Sequence, residues 1–189
     1  MGSAAATTEQ EIEARLTSTF QILLRELPKL ETREQAEDLI RRHIVPITDT
    51  RKSAQLMLGK HWRKATESQR DRFATAMTNK LVSTYSAFLL DERAQRSQFE
   101  IIRIVEKSGK RGSKYTITTQ VTVDQPVDVT FTAYQPQGKD WGLVDVKAEG
   151  ISMALTWRST FANLIRNKAD IEKVIVDLEK GQLEAKETK

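Results

Sequence analysis

Apolar residues recur at helical spacing through the first half of the chain and at a spacing of two through much of the second. Ile12, Leu16, Phe20, Leu23 and Leu27 form a first stripe, with Thr8 as the candidate cap and Pro28 as the stop. Thr32 with Gln35 three residues on has the capping-box spacing and opens a second helix with Ala36, Leu39, Ile40 and Ile44 on one face. Pro46 ends it. Asp49 caps a short apolar helix from Ser53 to Leu58, which Gly59 terminates. Thr66 and Gln69 repeat the capping box before the longest helix, whose stripe is Phe73, Met77, Leu81, Tyr85, Phe88 and Leu89.

From about Gln98 the period is two. Strands are predicted over Phe99 to Val105, Lys114 to Val123, Val127 to Tyr134 and Trp141 to Ala148. The connections, 106–113 and 135–140 among them, are rich in Gly, Ser, Pro and Asp, as hairpin links are. Tyr115, Ile117, Val121 and Val123, then Val127, Val129, Phe131 and Ala133, then Val144 and Val146 share one face. Polar residues such as Thr116, Thr118, Gln120, Asp128, Thr130, Asp145 and Lys147 alternate with them. Asp145 should therefore point away from the apolar face. Ile101 and Ile102 are adjacent, so the first strand has no clear phase. Ser152 caps a further amphipathic helix and Asp170 a last one carrying Ile171, Val174, Ile175 and Leu178. The pattern defines an α+β fold: a four-stranded antiparallel meander with helices packed on one face.

Composition narrows the chemistry. The 189 residues contain no cysteine, which excludes disulfides, thiolate metal sites and cysteine nucleophiles. The two histidines, His43 and His61, have no second ligand at helical spacing, so no metal is expected. No glycine-rich phosphate loop and no nucleophile–base pair stands out, so no catalytic residue and no cofactor are assigned. Glu149, at a strand end beside Gly150, suits a structural hydrogen bond. Thirty basic residues against 26 acidic give a net charge of +4. The basic stretches, 51–72 and 106–114, lack interleaved exposed aromatics and read as solvated faces rather than a nucleic-acid surface. They also suit weak docking to anionic membranes or acidic partners. No run approaches the roughly 18 apolar residues of a membrane span.

An ordered set of residues carries more. Ile44-Val45-Pro46 leads to Leu58-Gly59, Trp62, Ala65-Thr66, Gln69-Arg70 and Phe73. Downstream come Trp141 to Asp145, the block Ala148-Glu149-Gly150-Ile151-Ser152-Met153, and Trp157-Arg158-Ser159 with Phe161. Over about residues 10–180 this resembles the MlaC family, the periplasmic phospholipid-binding component of the maintenance-of-lipid-asymmetry pathway, also called the toluene-tolerance family. One departure is Asn167-Lys168-Ala169-Asp170, where the family commonly has glycine; a left-handed Asn167 would preserve that turn.

The resemblance implies a fold similar to nuclear transport factor 2, with acyl chains held between sheet and helices. It implies a soluble shuttle in the periplasm of a Gram-negative cell, its signal peptide already removed. The ligand would be phospholipid. The partners would be an outer-membrane lipoprotein/porin complex and an inner-membrane ABC transporter complex with a lipid-binding periplasmic subunit. On this reading the pocket wall is Met77, Leu81 and Tyr85 of the long helix facing Tyr115, Ile117, Val121, Val129, Phe131, Val144 and Val146 of the sheet. These strand positions carry no charge to neutralise a phosphate, so the head group should stay near solvent. Residues 1–8 read as a cloning remnant and flexible N-terminus, 9–180 as one lipid-binding domain, and 181–189 as a polar tail. Two other classes remain open from the residues alone: a small-molecule enzyme on a cone-shaped α+β scaffold, and a docking module with a filled core.

Overall fold

The computed structural model describes residues 7–122 and 124–184; the expected tail beyond 184, the first six residues and Val123 lie outside the described residues. Helix α1 spans Thr8–Glu26. Its cap is Thr7 rather than Thr8, because Gln10 returns the bond to the Thr7 N–H and completes a capping box one residue earlier. Helices α2 (Arg33–His43), α3 (Thr50–Leu58) and α4 (Glu67–Leu89) begin at the caps Thr32, Asp49 and Thr66, as their spacing requires. A 3-10 turn, Gly59–Lys64, joins α3 to α4. Gly59 has φ +60, a left-handed backbone that favours glycine, and a Cβ there would also press on the movable Arg158 side chain at 2.8 Å. The short α5 is Glu92–Gln95, α6 is Met153–Leu164 capped by Ser152, and α7 is Ala169–Glu179. Asp170 is not the N-cap of α7. It lies inside the first turn, and its carboxylate accepts the Arg166 and Asn167 N–H groups. That carboxylate closes the turn without a left-handed Asn167; Glu149 is the non-glycine residue with positive φ among those described.

The strands are β1 (Gln98–Gly109), β2 (Gly112–Thr122), β3 (Pro126–Pro136), β4 (Gly142–Ala148) and β5 (Ile151–Ser152), in that order across one antiparallel sheet. The sheet thus has a short fifth strand beyond the four expected. Glu149 and Gly150, with φ 49 and 84, form the two-residue turn between β4 and β5. Most of the expected 106–113 loop is strand. Gly109 pairs with Gly112, leaving Lys110-Arg111 as the turn. A Cβ on Gly112 would lie 2.1 Å from the Gln135 carbonyl oxygen, so only glycine lets β3 approach here.

Two bulges explain where alternation fails. In β1 the register shifts at Ile102, leaving Ile101 opposite buried Thr119 and Ile102 exposed. In β4 Asp145 pairs with Thr132 and Leu143 with Ala133, so Val144 is the extra residue.

Apolar side chains collect in three clusters. Ile12 and Leu16 of α1 pack on Tyr115, Ile117, Ala133 and Leu143 of the sheet. Leu23 and Leu27 pack on Leu39 of α2. The largest cluster joins α3, α4, α6 and α7 through Met57, Phe73, Trp157, Phe161, Ile171 and Ile175. His61, beside Trp62 at its edge, is buried, and its Nε2 has no hydrogen-bond partner among the described residues. Burial, then the charges of Lys60 and Lys64, push the imidazole pKa below its ordinary value. The unfolded chain then binds a proton near pH 6.5 that the folded chain refuses until lower pH. Stability is therefore full above about pH 6.5 and falls as pH drops through the folded value. Thermal melting from pH 8 to 5 is expected to show this loss in the wild type and a flatter profile in His61→Leu. Parallel profiles would remove His61 as the titrating group.

Candidate functional site

Between the three clusters lies an open cavity of about 370 Å³. Phe20 and Leu23 of α1, Ile40 of α2 and Ile44 just past its end, and Ser53, Ala54 and Met57 of α3 form one side. Met77, Leu81, Val82, Tyr85, Phe88 and Leu89 of α4 form another, and Phe131, Leu143, Val144, Asp145 and Val146 the sheet side, with Met153 of α6. Along α4 the wall runs from fully buried to open: Met77 is 2% exposed, Leu81 half-buried, Tyr85 44% and Phe88 57% exposed. The late turns of α4 are therefore the rim and Met57 with Met77 the floor. Phe20, stacked on Phe99 at 3.6 Å and tilted against Phe131 at 5.8 Å, fixes the α1 side of the wall to the sheet.

Magnitude separates this hollow from a packing defect. Its size is that of small-molecule and cofactor sites, about 300–1,000 Å³. A second cleft, of about 480 Å³ between α1 and α2, has a different character. Its walls include Arg25, Glu26, Lys29, Asp38 and Arg42, charges that pair with one another at the surface. The apolar cavity is the candidate site.

Few polar groups face it, and most are engaged. The Thr48 and Thr78 hydroxyls donate to the Ile44 and Ala74 carbonyls at 2.8 and 2.9 Å. Asp145 does not point away from the apolar face: the bulge at Val144 brings four consecutive β4 residues to the wall. Its carboxylate accepts the Ser152 hydroxyl at 2.6 Å and the Ala154 N–H at 2.9 Å, anchoring the start of α6 to β4. Burial and then the Asp145 charge raise the Tyr85 phenol above its ordinary pKa, so it stays a neutral hydroxyl. Ser53 differs from these, since its buried Oγ has no partner among the described residues. Among the described residues no group of three His, Asp or Glu could hold a metal ion.

Of the residues singled out from the sequence, Met77, Leu81, Tyr85, Phe131, Val144 and Val146 line the cavity. Tyr115 and Ile117 lie in solid core beneath Ile12 and Leu16, because α1 covers that part of the sheet. Val121 pairs with Phe99 and Val127, and Val129 with Thr119 and Ala148; both are half-buried and off the wall. The contributions of α2 and α3 were not anticipated. The i, i+4 pair Ile40 and Ile44 was the available signal, but helical spacing alone does not say whether a face meets core or cavity.

Fold and site together define a small α+β domain built around a hollow for an apolar ligand. The chain matches the model of the MlaC protein family over residues 2–180, and it belongs to that family. A solved structure described as the phospholipid-binding protein from Ralstonia solanacearum, in complex with a phospholipid, is similar with a TM-score of 0.75. The alignment covers 89% of this chain and 95% of that one at 17% identity, a likeness of fold. No helix among the described residues is long and apolar enough to cross a membrane.

Proposed function

We propose that this protein is a phospholipid carrier that holds acyl chains in the apolar cavity and keeps the head group at the rim. The observation that carries the reading is the wall itself: chiefly aliphatic and aromatic side chains, with the Thr48 and Thr78 hydroxyls bonded to backbone carbonyls and its one carboxylate already capping α6. Family membership and a structural neighbour that binds phospholipid support it. Each methylene removed from water contributes about 0.8 kcal/mol. A bilayer offers the same benefit, so the carrier need only match hydrocarbon with hydrocarbon and requires no bond-making chemistry. Net direction must then come from its partners. We place the protein in the periplasm, exchanging lipid with an outer-membrane lipoprotein/porin complex and an inner-membrane ABC transporter complex, and so maintaining outer-membrane lipid asymmetry.

Gentle purification followed by lipid extraction and mass spectrometry tests the binding step. Phospholipid at about one equivalent is expected. A ligand that binds only the folded state adds about 2.7 kcal/mol at a hundredfold excess over its dissociation constant. Delipidation should therefore lower Tm by about 5–11 °C, at about 2–4 °C per kcal/mol for a chain of this length, and added phospholipid should restore it. An extract free of lipid, with a Tm indifferent to phospholipid, would overturn the proposal.

A further inference from the structure

We propose that the end of the sheet formed by the β1–β2 and β3–β4 turns is a docking surface for an acidic segment of a partner protein. Cations from distant parts of the chain meet there: Lys107, Lys110, Arg111 and Lys114 of the first hairpin, Lys139 of the β3–β4 loop, and Lys52 of α3. Lys107 and Lys114 are register partners, and Lys114 also pairs with Tyr134, so the three share the face opposite buried Tyr115. The Lys52 ammonium lies 4.9 Å from the centre of the Tyr134 ring, and the Tyr134 hydroxyl donates to the Arg111 carbonyl at 2.8 Å. The Gln137 N–H donates to the same carbonyl at 3.3 Å, which holds the loop of Lys139 against the turn of Lys110 and Arg111. Lys52 is half-buried and the other cations are exposed.

The cluster is not neutralised from within. None of these cations is in an ion pair among the described residues. Of the neighbouring carboxylates, Glu106 accepts the Ser108 and Ser113 hydroxyls at 2.7 and 2.6 Å, and Asp49 accepts the Lys52 N–H at 2.8 Å. Asp140, beside Lys139, is exposed. Glu9 and Glu11 start α1 on the other face, where the Thr8 and Tyr115 hydroxyls share the Gln135 side chain. Cations therefore remain in excess. Like charges directly opposite on paired strands are destabilising, and Lys107 faces Lys114, a cost that bound carboxylates would remove.

Two features favour an acidic protein over an anionic bilayer. No exposed large apolar side chain lies within 106–114 or 135–142, so this surface has nothing to insert between lipids. The cavity also lies elsewhere: α1 starts beside Gln135, and Phe20 on the cavity wall is about 18 Å further along that helix. On the carrier reading, a bilayer held at the hairpin end would leave the mouth away from the lipid, whereas a docked protein leaves it open to exchange.

The test titrates the isotope-labelled full chain with a short polyglutamate peptide and follows backbone amide shifts by NMR. Shifts centred on 107–114, 137–139 and Lys52 are expected, with affinity falling about tenfold as salt rises from about 20 to about 200 mM. Lys107→Glu with Lys114→Glu should loosen the peptide by about tenfold or more. Arg63→Glu with Lys64→Glu makes the same change of charge in the other basic stretch and should stay within about twofold of the wild type. Lys114→Gln should bind more weakly yet melt no lower than the wild type, since it removes the like-charge opposition. A wild type that ignores the peptide would overturn the proposal, as would equal losses in the two double variants. Phosphatidylglycerol vesicles bound through Lys107 and Lys114 more tightly than the peptide would make this a membrane surface and overturn the assignment to a protein. A wild type that purifies without lipid but still binds the peptide here would instead sink the carrier reading and leave the docking surface standing.

Discussion

Replacing Val144 with tryptophan is expected to empty the cavity of lipid while the protein stays folded. Val144 is the extra residue of the β4 bulge, 3% exposed and on the cavity wall. Overpacking a filled core costs about 1–3 kcal/mol, but here the added indole has a void to enter. By occupying it, the ring displaces at least three methylenes of a bound chain. At about 0.8 kcal/mol each that is roughly 2.4 kcal/mol, or about fiftyfold in affinity. Val129→Trp is the internal control, because Val129 shares the strand face but not the wall, and it should retain lipid. Lipid per protein by mass spectrometry, read beside the melting curve, checks both variants. A folded Val144→Trp protein carrying a full complement of lipid would remove this position from the site.

The contrast between Val144 and Val129 shows where sequence reasoning reached and where it stopped. Caps and breakers are local, so Thr32, Asp49, Thr66, Ser152 and Gly59 marked their helix ends without reference to anything distant. The antiparallel order followed from short links for the same reason. The bulges at Ile102 and Val144 were not legible, because a bulge is a mismatch between two strands and neither strand alone encodes it. The adjacent Ile101 and Ile102 hinted at the first. Nothing in Leu143-Val144-Asp145-Val146 signalled that all four would reach the wall, with Asp145 turned to cap α6.

The hollow itself is the deeper gap. An apolar stripe looks the same whether it meets another side chain or empty space. Ile117 and Phe131 are register partners on one face, yet the first is core and the second is wall. What divides them is the path of α1, whose Ile12 and Leu16 settle on Tyr115 and Ile117 and whose Phe20 turns toward Phe131. That division depends on the crossing of a helix over a sheet, a property of the assembled layers. The late turns of α4 gave a partial clue. Tyr85, Phe88 and Leu89 continue an apolar stripe past the point where the helix needs one for core, and the surplus is the rim.

Phe161→Ala is expected to show the opposite phenotype to Val144→Trp: a weaker fold that still carries lipid. Phe161 is fully buried, edge-on to Phe73 at 5.2 Å and stacked near Trp157 at 5.4 Å. It ties α6 to α4 in the cluster that α7 completes, and it does not line the cavity. Truncating a buried phenylalanine costs about 3–5 kcal/mol, a large share of the 5–15 kcal/mol a domain has in total. For a chain of this length that corresponds to a fall in Tm of about 6–20 °C. Below the new transition the cavity walls are unchanged, so lipid per folded molecule should match the wild type. Bound lipid then stabilises both proteins by the same mass-action increment, and the Tm difference between them persists in loaded and delipidated samples alike. A Phe161→Ala protein that melts near the wild-type temperature would mean that the cluster repacks around the gap. One that folds but has lost its lipid would mean that Phe73, Trp157 and Phe161 hold the cavity floor in shape, coupling this core to the site above it.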